Sequence, residues 1–216
     1  MAQQLDQYLR EIHSLLEVMF GLADRNLSIA IRALEAGDQT LAKTVVSEDS
    51  QLDELEMEVD EKVVNHITRG PVASDARFML VASKISSNYE RIADQAEVMA
   101  RTVLRIESQL QDLERGDVIR MAFIAREMMA QGHHAFVQQN KAPLNQIIAR
   151  DEEVDSLYWK VMRQLGETIF DRPHLTDSGL HLLIAARAIE RLADHAKNVA
   201  EEVFYWLEAR DIRHGK

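Results

Sequence analysis

Residues 90–94 read Glu-Arg-Ile-Ala-Asp, and one hundred positions later the chain reads Glu190-Arg191-Leu192-Ala193-Asp194. The likeness runs on through Gln95-Ala96 and His195-Ala196, so five of seven positions are identical. A 216-residue chain that contains itself at this offset is expected to build two similar halves. Each half, at about 100 residues, is large enough to bury its own core. Further pairs extend the match: Asp49 and Asp53 with Asp151 and Asp155, Pro71 with Pro173, Ser74 with Thr176, and Asp75 with Asp177. The offset falls from 102 to 100 along the way, which places a two-residue loss near Ser178-Gly179.

Glycine and proline punctuate the chain into six helical stretches. The first runs from about Leu5 to Glu35 and stops at Gly37-Asp38, where Gly supplies a left-handed residue and Asp a cap. The others are expected at about Gln39–Thr68, Ser74–Leu113, Asp117–Gln139, Leu144–Phe170 and Thr176–Arg210. Three Pro, eight Gly and a bias to Ala, Leu, Glu, Arg and Gln favour helix throughout. No alternating β-branched run reads as a strand. Long helices with short corners make bundles. The expected fold is therefore all-α, with two tandem three-helix bundles from an internal duplication: residues 1–112 and residues 113–216.

A formal net charge of −11 argues against a nucleic-acid backbone as the main partner. Without cysteine, neither disulfides nor thiolate metal sites are open to the chain. Its first residues lack the basic and apolar segments of a signal peptide, and no 18-residue uncharged apolar stretch stands ready to span a bilayer. The expected setting is the cytoplasm.

At about 100° per residue, Asp49, Asp53, Glu56 and Asp60 fall within an arc of roughly 60° on the second helix. Glu90, Asp94 and Glu97 share an equally narrow arc on the third. Leu52, Val59 and Val63 lie beside the first acidic stripe, and Ala82, Ser86, Ala93 and Ala100 beside the second. Ala186, Ala193 and Ala200 repeat the arrangement next to Glu190 and Asp194. Small residues permit close approach of helices or ions. Like charges four apart cost a few tenths of a kcal/mol per pair (about 0.2–0.5), so a seam of them calls for compensation. Arg91 and Arg191 can supply some; a hard or borderline cation can supply more. In the second half Tyr158, Met162 and Lys197 replace Glu56, Asp60 and Glu97, which leaves a reduced seam.

Other chemistries find less support. None of the eight His has a Glu three residues before it, so a ferritin-like di-iron bundle is excluded. His195 points about 100° away from Asp194 and makes a poor co-ligand. The sequence holds no glycine-rich phosphate loop, nucleophile elbow or zincin motif. Met19, Met79, Met99, Met128 and Met129 read as core filler.

The twofold Glu-Arg-Ile/Leu-x-Asp, each preceded by Asp-x-x-x-Asp on the previous helix, resembles the PhoU family of phosphate-transport regulators. So do Pro71-Val72-Ala73-Ser74-Asp75-Ala76-Arg77 and the ending from Phe204-Tyr205-Trp206 to Asp211-Ile212-Arg213-His214. Two features depart from the family: Ala93 and Ala193 stand where Gly is usual, and Ala76 where Leu usually precedes the arginine. The resemblance implies two three-helix bundles, usually in a homodimer. It implies metal, held by Asp49, Asp53, Glu90 and Asp94 in the first half and by Asp151, Asp155, Glu190 and Asp194 in the second; iron, zinc or manganese are the ions that such carboxylates suit. It also implies a non-enzymatic role with two partners, the phosphate ABC transporter ATPase subunit and a phosphate-sensing histidine kinase, repressing phosphate-starvation genes and uptake when phosphate is plentiful. Clustered carboxylates leave two alternatives open: a metal-dependent phosphohydrolase, in which metal activates water, and a metal-free helical scaffold.

Overall fold

The first corner falls where glycine and aspartate put it. A computed structural model describes residues 2–47, 50–68, 73–106, 115–141 and 143–212. Helix α1 (Ala2–Ala36) ends at Gly37, whose φ of 66° is left-handed. Asp38 then caps α2 (Gln39–Val46), its Oδ1 accepting the Thr40 and Leu41 N–H groups at 2.8 and 3.1 Å. Helices α3 (Ser50–Ile67), α4 (Ala73–Val103), α5 (Gly116–Gln138) and α6 (Leu144–Asp171) follow. A short 3-10 turn, Pro173–Leu175, leads into α7 (Thr176–Glu208). No strand occurs among the described residues.

The second helical stretch, expected unbroken from Gln39 to Thr68, is instead two helices that part after Val46. Hydroxyls account for the break locally. Thr44 Oγ1 donates to the Thr40 carbonyl at 3.2 Å and Ser47 Oγ to the Thr44 carbonyl at 2.9 Å, back-bonds that compete with the helical ladder. The β-branched run Thr44-Val45-Val46 adds little propensity to resist them. The third stretch, expected to reach Leu113, leaves the helical path after Val103 and turns through Ile106. The boundary anticipated between residues 112 and 113 lies outside the described residues.

Helices α1 to α4 make the first bundle and α5 to α7 the second. The most extensive packing is between α4 and α7, the last helix of each half. They run antiparallel: Arg77, Lys84 and Asn88 meet Trp206, Glu202 and His195 in reverse order. Arg77 Nη1 donates to the Trp206 carbonyl at 3.2 Å, Lys84 Nζ to Glu202 Oε1 at 3.1 Å, and His195 Nδ1 lies 3.0 Å from Asn88 Oδ1. Residues 89–100 and 189–200 share the same sequence of buried, half-buried and exposed positions, so the duplication survives side chain by side chain. Ala82, Ser86, Ala93, Ala100, Ala186, Ala193 and Ala200 are all buried. The five methionines expected in the core are there, each fully enclosed. One continuous apolar core spans both bundles. At its margin the half-buried His133 stacks on Phe20 at 3.7 Å and meets the hydroxyl of the buried Tyr89 through Nδ1 at 3.0 Å.

Candidate functional site

Helices α3 and α4 carry the N-terminal acids. Glu90 is the most enclosed, with its side chain 12% exposed, and its Oε2 is buried without a hydrogen bond. Arg91 Nε lies 3.3 Å from that oxygen, and Arg91 Nη1 lies 3.6 Å from Asp94 Oδ2. Burial, followed by the Asp94 charge and then Glu56, pushes the Glu90 carboxyl up to about 7; Arg91 opposes this. The charges of Glu56 and Asp94 thus both bear on Glu90 across the seam. Glu97 pairs with Arg101 one turn on. Asp60 is turned away to accept the Ser83 hydroxyl at 2.6 Å, which clips α3 to α4. Asp53 is exposed, and Asp49 lies outside the described residues.

The C-terminal seam is closed by a lysine. Asp151 on α6 is buried, and Lys197 on α7 reaches it, its Nζ in contact with Asp151 Oδ2 and 3.2 Å from Asp194 Oδ1. Burial raises the Asp151 carboxyl, while Lys197 pulls the other way. Burial also opposes the ammonium, but Asp151 and Asp194 more than offset that and hold Lys197 above the ordinary lysine value. Asp155 is exposed, yet its charge reaches both Asp151 and Glu190. Glu190 is raised by burial first; Arg187 counters this from 2.6 Å, while Asp194 and Asp155 add to it.

The first seam brings Glu90 and Asp94 together with Glu56, and the second brings Asp151 and Asp194 together on Lys197, but among the described residues no three His, Asp or Glu side chains converge as a preformed metal site. The two halves differ in how well they fit a cation. In the first, carboxylates are gathered with a buried Glu90 oxygen that lacks a hydrogen bond, a donor set suited to hard metals. In the second, Glu190 Oε2 is similarly orphaned, but an ammonium already bridges Asp151 and Asp194.

Arg191, next to Glu190 in the sequence, is the expected source of its counter-charge. Arg187 supplies it, and the i, i+3 spacing on α7 was the available signal. Ser83 carried no signal of its own. His195 is turned to Asn88 across the α4–α7 interface, as its angular position required.

With the geometry in place, similarity to known proteins decides the family. A family model described as "PhoU domain" matches residues 16–103 and again residues 118–203, once in each half. The chain belongs to the PhoU family. The resemblance carried by the repeated motif is thereby borne out, as is the tandem all-α fold. Among PhoU proteins, the phosphate-specific transport system accessory protein PhoU of Escherichia coli (strain K12) is 32% identical over 216 residues, covering 98% of this chain and 88% of its own length. The PhoU homolog of Rhizobium meliloti (strain 1021) is 31% identical, covering 93% and 85%. The crystal structure of PhoU from Pseudomonas aeruginosa superposes with a TM-score of 0.87 at 28% identity, over 95% of this chain and 99% of that one. PhoU from Streptococcus pneumoniae, at 21% identity and a TM-score of 0.85, shares the fold.

Proposed function

We propose that this chain is the accessory regulator of a phosphate-specific transport system, acting in the cytoplasm as an adaptor between the transporter's ATPase subunit and a phosphate-sensing histidine kinase. In this reading it keeps phosphate uptake and phosphate-starvation genes repressed while phosphate is plentiful. The observation that carries the reading is similarity at about 30% identity over nearly the whole chain to proteins named for that accessory role. No helix among the described residues is long and apolar enough to cross a membrane, which suits a partner that docks on a transporter instead of forming its pore.

The role is non-enzymatic. A phosphohydrolase needs free cationic side chains to clamp phosphate; Arg91, which would be one of them, is engaged with Glu90 and Asp94. Metal belongs to the N-terminal seam in this reading. Asp49, Asp53, Glu90 and Asp94, with Glu56 beside them, would hold it, and iron, manganese or zinc would place positive charge on an acidic surface. Affinity purification of the tagged chain from cells grown in rich phosphate tests the adaptor role. It should recover both the transporter ATPase and the kinase; recovery of neither would overturn it.

A further inference from the structure

The C-terminal seam carries its own cation. We infer that Lys197 is the resident counter-ion of that seam, taking the place a metal would occupy, so that this chain offers a carboxylate seam to metal in its first half only. The inference deepens the metal reading for the first half and stands apart from it for the second.

Position comes first. Lys197 is the counterpart of Glu97, and the two fall at the same place in burial patterns that agree over twelve residues. Duplication therefore delivered an ammonium where the first half has a carboxylate. Geometry comes second. Lys197 Nζ touches Asp151 Oδ2 on α6 and lies 3.2 Å from Asp194 Oδ1 on α7. It thus joins carboxylates from two helices, which is what a bridging metal does. Burial comes third. The Asp151 side chain is 9% exposed, and a buried carboxylate needs a close partner of opposite charge. With Lys197 in place that need is met. Glu190 meanwhile pairs with Arg187, which leaves Asp155, exposed to solvent, as the remaining acid of the four.

A divalent ion drawn to Asp151 and Asp194 would have to expel the ammonium or sit within a few ångströms of it. Like charges at that range in a half-buried site repel strongly. Among the described residues of the first half no ammonium joins α3 to α4: Glu97 stands where Lys197 does and meets Arg101 one turn along. Arg91, which lies 3.3 Å from Glu90 and 3.6 Å from Asp94 on its own helix, is exposed to solvent and can swing away from both.

The test is metal content after incubation with manganese and gel filtration, measured per chain by elemental analysis. The double variant Glu90→Gln/Asp94→Asn should retain no bound manganese. Adding Lys197→Gln to it should create about one new equivalent, and Asp151→Asn should abolish that equivalent. Manganese retained by the double variant but lost with Asp151→Asn would overturn the inference. So would a folded Lys197→Gln protein that gains none. Should Lys197→Gln fail to fold, hydrogen exchange of the wild-type chain decides. Protection across α6 and α7 should be unchanged by manganese, and new protection there would overturn the inference. A wild type that binds no metal in its first half, with the Lys197→Gln gain intact, would sink the metal reading under Proposed function and leave this one standing.

Discussion

Replacing Glu90 by glutamine should stabilise the metal-free protein at alkaline pH. Glu90 is an enclosed carboxyl beside Asp94 and Glu56, and its folded value of about 7 stands above the ordinary 4.5. A group raised on folding contributes stability that is complete below its unfolded value and lost as pH climbs through the folded one. At pH 8 the native state therefore carries a charge it disfavours. The shift corresponds to about 3 kcal/mol at 1.36 kcal/mol per unit. That value already includes the Arg91 charge, but the site is partly open to solvent, with Asp94 34% exposed, so about 2 kcal/mol is the working figure. Glutamine keeps the shape and removes the charge. For a chain of 216 residues the gain should raise Tm by about 4–8 °C at pH 8. At pH 5, where Glu90 is protonated in the folded state, the gain should fall towards zero. The assay is thermal unfolding in chelator from pH 5 to 8.5, read as the difference between variant and wild type at each pH. The difference matters because the half-buried His13, His133 and His195, all lowered by burial, give both proteins a shared loss of stability in acid. A variant no more stable than wild type at pH 8, or equally stabilised at pH 5, would refute the reasoning.

Three further outcomes follow from particular contacts. Lys197→Met leaves Asp151 enclosed and unpaired and should cost about 2 kcal/mol by urea unfolding, less than a fully buried pair because Lys197 is partly exposed; Asp151→Asn in that background should recover more than half. Gly179→Ala places a Cβ 2.8 Å from Ile169 Cγ1 and should cost about 1–3 kcal/mol, with Ile169→Ala relieving the overlap in the double variant. Tyr89→Phe removes the hydroxyl that meets His133 Nδ1 in the core and should cost about 1–2 kcal/mol, a loss that His133→Leu should reduce.

The helical punctuation was legible because it rests on local chemistry. Gly37 and Asp38 turn and cap the chain by rules that need no tertiary partner. The duplicated Glu-Arg-x-Ala-Asp was legible too, since identity at a fixed offset reports symmetry directly. What escaped the sequence depends on reach and competition. The break after Val46 arises from two hydroxyl back-bonds that tip a marginal helix, and nothing in residue identity says which way they turn. An arc of acids says which face they share, but not that Asp60 would leave it for Ser83. The substitution of Lys197 for Glu97 was visible. Its consequence was not, because a four-carbon side chain can extend to solvent or fold back across a groove, and only the packing of α6 against α7 fixes the second course.

In a strain deleted for this chain, a phosphate-starvation reporter should be expressed even in phosphate-rich medium, and a plasmid copy of the chain should restore repression. A deletion strain that represses the reporter normally in rich phosphate would contradict the account.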